Sequence, residues 1–303
     1  MIRSRNRFCY LMVAPTLILV VALGIYPMLD TLRLSFLEYN LLRIAKHGTP
    51  FVGFKNFDTI FHNPMFMQTL FNTLAFSVLI VIGVTVLGLL IAMFMNLEII
   101  GRNFLRSLFL VPWVTPPVVG AAIWLQLCST TMSPINHLLK LLGIIDGNVR
   151  FLTDVRTLGP LSIPFLVIAA VRIWHGLPFT SVMLLAGLQS ISDDLYEAAE
   201  IDGASTLGKF RFVTLPMLRD VLLVTMTLLF ISTIGHFATV YVMTAGGPNN
   251  LTNILGVYAY TQAFVFYHFD IGAATSSIIL VLTGTVAAIY VYLQSRMAAI
   301  EAG

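Results

Sequence analysis

Long apolar runs separated by short polar segments dominate the pattern of residues along this chain. A helix rises about 1.5 Å per residue, so about 20 apolar residues cross the hydrocarbon core of a bilayer. Six stretches reach that length, and none has Asp, Glu or Lys at its middle. They cover residues 8–29, 70–95, 107–128, 160–188, 215–240 and 272–295. The pattern predicts an all-α integral membrane protein with six transmembrane helices.

Proline interrupts two of these predicted spans. Pro112, Pro116 and Pro117 lie near the start of the third span, and Pro164 and Pro178 lie within the fourth. A proline inside a helix removes a hydrogen bond, and such breaks are tolerated where neighbouring helices or a cavity satisfy the freed backbone groups. We therefore expect the fourth span to be broken at both of its prolines.

The basic residues predict an orientation for the spans. The first apolar stretch is longer than the core of a secretory signal and lacks a small-residue cleavage site, so we interpret it as a retained helix. If the amino terminus is cytoplasmic, the inside segments and the inner ends of the spans hold nine Lys and Arg, against seven in the longer outside loops. The nine are Arg3, Arg5, Arg7, Arg102, Arg106, Lys209, Arg211, Arg219 and Arg296. This density favours both termini in the cytoplasm.

Composition agrees with a chain whose main solvent is lipid. Apolar residues make up 58% of the 303 residues and charged residues only 10%, whereas a soluble domain carries about 25% charged residues. The net charge of +3 gives no indication of nucleic-acid binding. No linker, low-complexity tract or internal repeat divides the chain. Residues 1–303 are therefore predicted to form a single membrane domain.

The segment between the fourth and fifth spans carries the most informative local pattern. Asp193 or Asp194 can cap a helix, and Glu197 follows Asp194 by three residues, as in a capping box. Gly203 can adopt the left-handed conformation that ends a helix. A second short helix is expected over residues 205–212. Small residues on the first helix would allow another protein to approach closely.

This loop resembles the EAA loop of binding-protein-dependent importers. The matching residues are Glu197, Ala198, Ala199, Asp202, Gly203, Leu215 and Pro216. We expect Leu215-Pro216 to start the fifth span, because proline is tolerated in a first turn. Val213 replaces the usual Ile, and Asp220 stands where sugar permeases commonly have a second proline, so the entry of the fifth span can differ. The resemblance implies a coupling loop over residues 189–216, which docks in a cleft of an ATPase subunit.

A second resemblance concerns the loop after the fifth span. Gly246, Gly247 and Pro248 and the aromatic pattern that follows are similar to the outer loop of carbohydrate-uptake permeases of the maltose and glycerol-phosphate type. The resemblance implies a permease core of the type-I importer fold over residues 68–293 in a bacterial inner membrane. Its implied partners are a second homologous permease, two ATPase subunits and an extracytoplasmic sugar-binding protein, and transport by alternating access.

The sequence itself offers no chemistry for hydrolysing ATP. A phosphate-binding loop of the form GxxxxGK[ST] is absent, and Gly208-Lys209 lacks the earlier glycine and the following hydroxyl. The resemblance places ATP and Mg²⁺ in the partner subunits, with no cofactor, metal or catalytic residue in this chain. An ion-coupled carrier usually has acidic residues inside its spans, and these spans have no Asp or Glu at their centres. A membrane enzyme remains a further alternative, although the six histidines show no metal-ligand spacing.

Polar and aromatic residues at membrane depth are the candidates for contact with substrate. Polar groups there are costly and usually face a cavity or a partner. The candidates are Asn72, Trp124, Gln126, Arg172, Trp174, His175 and His236. The two tryptophans have planes on which a sugar ring can stack. Arg172 is equally consistent with recognition of an anionic sugar and with pairing to a helix end or to the second permease.

Overall fold

A computed structural model describes residues 12–42, 44–97 and 100–301 of the chain. Arg3, Arg5 and Arg7 and the start of the first predicted span lie outside the described residues. The helices are α1 (Met12–Leu34), α2 (Ile44–His47), α3 (Lys55–Phe61), α4 (Pro64–Asn96), α5 (Arg102–Phe109), α6 (Val111–Val114), α7 (Pro117–Leu127), α8 (Pro134–Leu141), α9 (Ile163–Gln189), α10 (Asp193–Ile201), α11 (Thr206–Met217), α12 (Arg219–Ile234), α13 (Ala238–Thr244), α14 (Leu255–Tyr260) and α15 (Phe269–Glu301).

Four helices are long and apolar enough to cross a membrane. They are α1, α4, α9 and α15. Two further pairs pass the same test only when each is taken as one bent span: Arg106–Val114 with α7, bent by 98°, and α11 with α12, bent by 66°. The described residues therefore contain four to six spans, and each one overlaps a stretch predicted from the apolar pattern.

The chain divides into two compact units. The first comprises Met1–Phe66 and Tyr258–Leu280. Its connecting segment after α1 is held by Asn56, whose buried amide donates to the carbonyls of Ser35 and Leu37 at 2.9 and 2.8 Å. The apolar part of α1 buries none of its residues. Such an apolar surface needs lipid or another protein to cover it.

The second unit comprises Met67–Val257 and Val281–Gly303. One core cluster joins α4, α7, α9, α12 and α13, and it includes Phe76, Ile80, Ala121, Phe165, Ile168, Leu229 and Val240. A second cluster lies where α9 meets the start of α12, and it includes Ala92, Leu184, Leu188 and Leu218. These clusters fix the helices around the loop and the polar residues described below.

The structure corrects the expectation that proline breaks the fourth span. Helix α9 runs without interruption from Ile163 to Gln189. Pro164 stands in the first turn, where the backbone N–H has no helical partner in any case. Pro178 lies inside the helix and is buried. It removes one hydrogen bond, but the buried neighbours of α9 keep the remaining helix in place.

The third and fifth spans are the ones that bend. In the third, Thr115 and Pro116 have extended ψ angles of 125° and 135°, which separate α6 from α7. The fifth was expected to start at Leu215-Pro216 and to run to residue 240. It instead begins at Arg219 after the bend and stops at Ile234, and Ala238 starts a new helix.

The all-α prediction holds with one small exception. Thr157–Leu158 (β1) and Leu161–Ser162 (β2) pair antiparallel in the loop that precedes α9. Just before them, Arg156 donates to Asp154 through Nε at 2.8 Å and through Nη2 at 2.5 Å. The Arg156 guanidinium lowers the pKa of the Asp154 carboxyl through these hydrogen bonds. The ion pair is therefore present at neutral pH and is lost as the pH falls through that lowered pKa.

Candidate functional site

Helix α10 carries the Glu-Ala-Ala sequence, and Ser192 caps its first turn. The Ser192 side chain accepts a hydrogen bond from the backbone N–H of Asp194 at 3.3 Å. The prediction that Asp193 or Asp194 would be the cap is therefore wrong by one or two positions. Both acids instead lie inside the first turn, where negative charge is favourable to the helix dipole.

Gly203 ends α10 in the left-handed conformation, as predicted, with a φ angle of 79°. Its N–H donates to the carbonyl of Glu200 at 2.9 Å, and the N–H of Ala204 donates to the carbonyl of Ala199 at 2.9 Å. These two bonds form a Schellman motif, which satisfies the carbonyls at the end of the helix. A residue with a Cβ would be strained at this φ angle.

Two side-chain contacts hold α10 against the segment that follows it. Tyr196 Oη lies 3.0 Å from Thr214 Oγ1. Lys209 Nζ forms an ion pair with the carboxylate of Glu200. The predicted second helix is present, with Ser205 as its cap, and its middle is a π-helical turn over Phe210–Thr214. Helices α10 and α11 are thus tied to each other across the Gly203 turn.

The outer surface of this loop is mixed in chemistry and open to a partner. Glu197, Ala198, Asp202 and Gly203 are exposed, and Ala199 is half-buried. Leu215 and Pro216 lie on α11 and are also exposed. Large exposed apolar side chains surround them: Leu195, Ile201, Leu207 and Phe212. Exposed apolar side chains rimmed by polar residues mark this surface as a candidate docking site for another protein.

The loop after α13 contains the Gly-Gly-Pro sequence and is closed by threonines. Thr252 Oγ1 donates to the carbonyl of Gly247 at 2.7 Å and lies 2.7 Å from Thr244 Oγ1. The Gly247–Pro248 peptide bond is cis, and Gly246 has a φ angle of 88°. The amide of Asn72 on α4 donates to the carbonyls of residues 250, 251 and 253 at 3.4, 3.3 and 3.0 Å.

Gln126 and the Gly-Gly-Pro loop line one cavity of about 480 Å³ in the second unit. In the sequence, Gln126 is a polar residue in an apolar run and Gly-Gly-Pro is a loop signature. The structure places the two side by side. Cys128, Thr153 and Met243 also line the cavity. Its mixture of hydroxyl, amide and apolar groups and its volume are typical of a site that admits a small polar molecule.

Three polar side chains from two segments form a cluster in the second unit, here named the Arg172 cluster: Arg172 and His175 on α9, and His236 after α12. Arg172 lies close enough to both histidines to interact with them electrostatically. Its Nη2 donates to Ser232 Oγ at 3.4 Å. His175 Nε2 lies 3.2 Å from the carbonyl oxygen of Thr115, and His236 Nε2 lies 2.9 Å from Thr239 Oγ1.

The cluster sits where the helices are broken. Thr115 belongs to the break between α6 and α7, and His236 belongs to the break between α12 and α13. Breaks at membrane depth are stable only when protein covers them or when they line a water-filled cavity. Sequence reasoning missed Thr115 and Ser232 because a hydroxyl residue in an apolar run usually bonds its own helix.

The two tryptophans pack on each other beside the cluster. Trp124 on α7 and Trp174 on α9 have ring centroids 5.6 Å apart at an interplanar angle of 73°. Asn72, by contrast, has its buried amide committed to the outer loop. A substrate contact by Asn72 would have to replace those bonds. Within the described residues, no group of three His, Cys, Asp or Glu side chains is placed to hold a metal ion.

The fold defines a class: a multi-pass membrane protein with four to six spans and an exposed helix-turn-helix loop between two of them. Comparison with known proteins gives the family. Residues 84–299 match the family "Binding-protein-dependent transport system inner membrane component". The chain belongs to this family and is therefore the permease component of an ABC importer, a transport subunit and not an enzyme.

Relatives that align with nearly the whole chain are also permease proteins of transport systems. The chain is 34% identical to the trehalose/maltose transport system permease protein MalF of Thermococcus litoralis, over 91% of this chain and 90% of that protein. It is also 34% identical to the inner membrane ABC transporter permease protein YcjO of Escherichia coli, over 92% of each. A chain of a bacterial ABC transporter that imports the acidic polysaccharide alginate shares its fold, with a TM-score of 0.76, 22% identity and coverage of 97% and 96%.

Proposed function

We propose that this chain and a second homologous permease together form the path along which a saccharide crosses the inner membrane. The relatives named for their substrates support the saccharide class: one is a trehalose/maltose permease and another a sulfoquinovosyl glycerol permease. The Trp124–Trp174 pair and the polar groups of the 480 Å³ cavity supply the aromatic faces and hydrogen bonds that sugars require. Residues 68–293 would form the core of this permease.

Six spans with both termini in the cytoplasm suit this role. Each bent pair then counts as one span, and the loop at residues 189–216 faces the cytoplasm. In that orientation the Gly-Gly-Pro loop, with Gly246, Gly247 and Pro248, faces outward, toward an extracytoplasmic binding protein. One such binding protein is present in a solved complex of the alginate importer, which supports a similar partner here.

The coupling loop is the observation that carries the proposal. Glu197, Ala198, Ala199 and Asp202 present a short exposed helix that ends at Gly203. We propose that this helix docks on one of two ATPase subunits, which bind ATP and Mg²⁺. Because the helix is tied to α11, a movement of the ATPase would be transmitted to Leu215, Pro216 and the bend before α12. Alternating access would follow as α12 and its neighbours move.

Purification from native membranes tests the assembly. The tagged chain is extracted in mild detergent, and the proteins that remain bound are identified by mass spectrometry. We expect a second permease and an ATPase to copurify, with ATP-dependent saccharide uptake when the complex and its binding protein are reconstituted. Recovery of the chain alone or as a homodimer after gentle extraction would contradict the proposed assembly.

A further inference from the structure

Arg172 is a cation without a counter-charge in the part of the chain that the structure describes. Its Nε is buried and has no hydrogen-bond partner. Its bond to the Ser232 hydroxyl, at 3.4 Å, is long for a hydrogen bond. Arg172 takes part in none of the ion pairs of the described residues. The guanidinium therefore holds its charge in the second unit with one weak neutral contact.

The groups around Arg172 add no negative charge. The same helix contributes His175, the break after α12 contributes His236, and α12 itself contributes the hydroxyl of Ser232. The acid of α12, Asp220, lies 12 residues before Ser232, which corresponds to about 18 Å along a helix. Both histidines would disfavour a cation when they are protonated. The cluster is thus rich in hydrogen-bond donors and lacks an anion.

An unpaired charge at membrane depth is costly, and arginines in spans usually face a cavity or pair with an acid. Leaving a buried charge without a partner is strongly destabilising. Since the described chain does not supply an acid, an anion from outside the chain is the arrangement that stabilises Arg172. Arginine is well suited to this task because its donors match carboxylate and phosphate oxygens.

The surroundings favour substrate over a protein partner as the source of that anion. Trp174 lies on the same helix as Arg172 and pairs with Trp124 of α7, so α9 carries both an aromatic pair and the charge. Two residues after Trp124, Gln126 lines the 480 Å³ cavity. Ser232 is exposed, which leaves the Nη2 end of the guanidinium open to an incoming group.

We infer that Arg172 recognises an acidic group on the transported molecule, and that the substrates of this permease include acidic saccharides such as those containing uronic acids. The inference rests on the proposed function, because it assigns a substrate class to the same path. Ser232 and His175 would add hydrogen bonds to the same acid group. Arg172→Gln would keep a polar side chain of similar reach but remove the charge.

Uptake by the reconstituted complex tests the inference. Proteoliposomes contain this chain, its permease partner and its ATPase, with the binding protein outside and ATP inside. The probes are glucuronate-containing disaccharides and their glucose-containing parents with the same linkage. We expect wild type to take up the acidic probes, and Arg172→Gln to raise their KM by about tenfold or more because a charge-assisted contact is lost. Arg172→Lys should restore part of the uptake.

Controls distinguish the possible causes of a loss of uptake. Arg33→Gln removes an exposed arginine that pairs, among the described residues, with Asp30, so it should change the uptake of neither class of probe. Gel filtration checks that each variant complex is assembled. The inference is overturned if wild type takes up only neutral probes, or if Arg172→Gln lowers both classes equally, as expected for pairing with an acid of the second permease. If wild type takes up no saccharide at all, the proposed function itself fails.

Discussion

At the scale of single residues, the backbone angle of Gly203 determines how the coupling loop turns. A Cβ at this position would meet no atom within 4 Å, so a side chain fits the space. The cost comes from the φ angle of 79°, since a left-handed residue with a Cβ costs about 1–2 kcal/mol. Asn tolerates this region better than other residues with a Cβ, whereas a β-branched residue tolerates it poorly.

Two substitutions of Gly203 should therefore distinguish the effect of the backbone angle from the effect of side-chain size. We expect Gly203→Val to lower ATPase association and uptake strongly, and Gly203→Asn to keep most of both. Copurification of the ATPase and ATP-dependent uptake provide the measurement. Gly143→Val is the matched control, because Gly143 has a φ angle of 67° and open space but lies in another loop. Normal ATPase association in Gly203→Val would refute the docking role of this turn.

Asn72 shows how one buried amide can organise a distant loop. It is buried and donates to three carbonyls between residues 250 and 253. The neighbouring Thr73 Oγ1 accepts the N–H of Leu255 at 2.8 Å. Helix α4 thereby fixes the residues that follow the Gly-Gly-Pro sequence. This contact explains the buried polar residue of α4 without a bound substrate.

Asn72→Leu should leave these buried carbonyls without a donor. Each unsatisfied buried group costs about 1–3 kcal/mol, so we expect a lower melting temperature and easier proteolysis of the outer loop. Limited proteolysis and thermal unfolding of the purified complex measure the two effects. The control is Asn148→Ala, which removes an exposed amide bonded to the carbonyl of Thr130. If the outer loop of Asn72→Leu resists proteolysis as well as wild type does, the three hydrogen bonds of Asn72 are not needed to hold that loop.

At the scale of elements, the contact between α9 and the bend before α12 joins the coupling loop to the core. Leu218, at the bend between α11 and α12, is fully buried. A Cβ on Gly187 would lie 2.8 Å from Leu218 Cδ2 and 3.2 Å from Val221 Cγ2. Gly187 thus lets α9 approach the bend closely. A movement of α11 would therefore displace α9 at this contact.

Gly187→Val should push α9 away from the bend. Overpacking of this kind costs about 1–3 kcal/mol, and here it falls on the joint between the loop and the core. We expect uptake to fall more than ATP hydrolysis, because the ATPase still docks while its movement is transmitted poorly. Gly284→Val is the control, since a Cβ there meets nothing within 4 Å. If Gly187→Val lowers uptake and ATP hydrolysis by the same factor, Gly187 has no role in transmitting the movement of the ATPase.

At the scale of the whole molecule, large exposed apolar surfaces indicate that this chain does not work alone. The apolar part of α1 buries no residue, and α15 buries only 6% of its most apolar window. Lipid covers part of such a surface, and a second permease is expected to cover another part. We therefore expect a second permease to remain bound when the chain is purified in mild detergent, because copurification reports on all these contacts together.

Several features followed from the sequence alone, because they depend on local chemistry. Apolar runs of sufficient length marked every candidate span, since the bilayer sets that length. The left-handed Gly203 and a short helix before it also followed, because glycine is the residue that ends a helix in this way. The cap was misplaced onto Asp193 or Asp194 because Ser192 has the same capping chemistry one residue earlier.

Only the tertiary structure decided where the spans bend and what the buried polar groups contact. Pro178 reads as a helix break, yet α9 continues through it, because the burial of α9 outweighs one missing hydrogen bond. The bend before α12 follows Pro216 by two residues, and the buried Leu218 at the bend packs close to Gly187 of α9. Asn72 and Arg172 look alike in the sequence as polar residues in apolar runs. In the folded chain Asn72 donates to three carbonyls, whereas Arg172 has no counter-charge among the described residues, because burial and partners are properties of the tertiary structure.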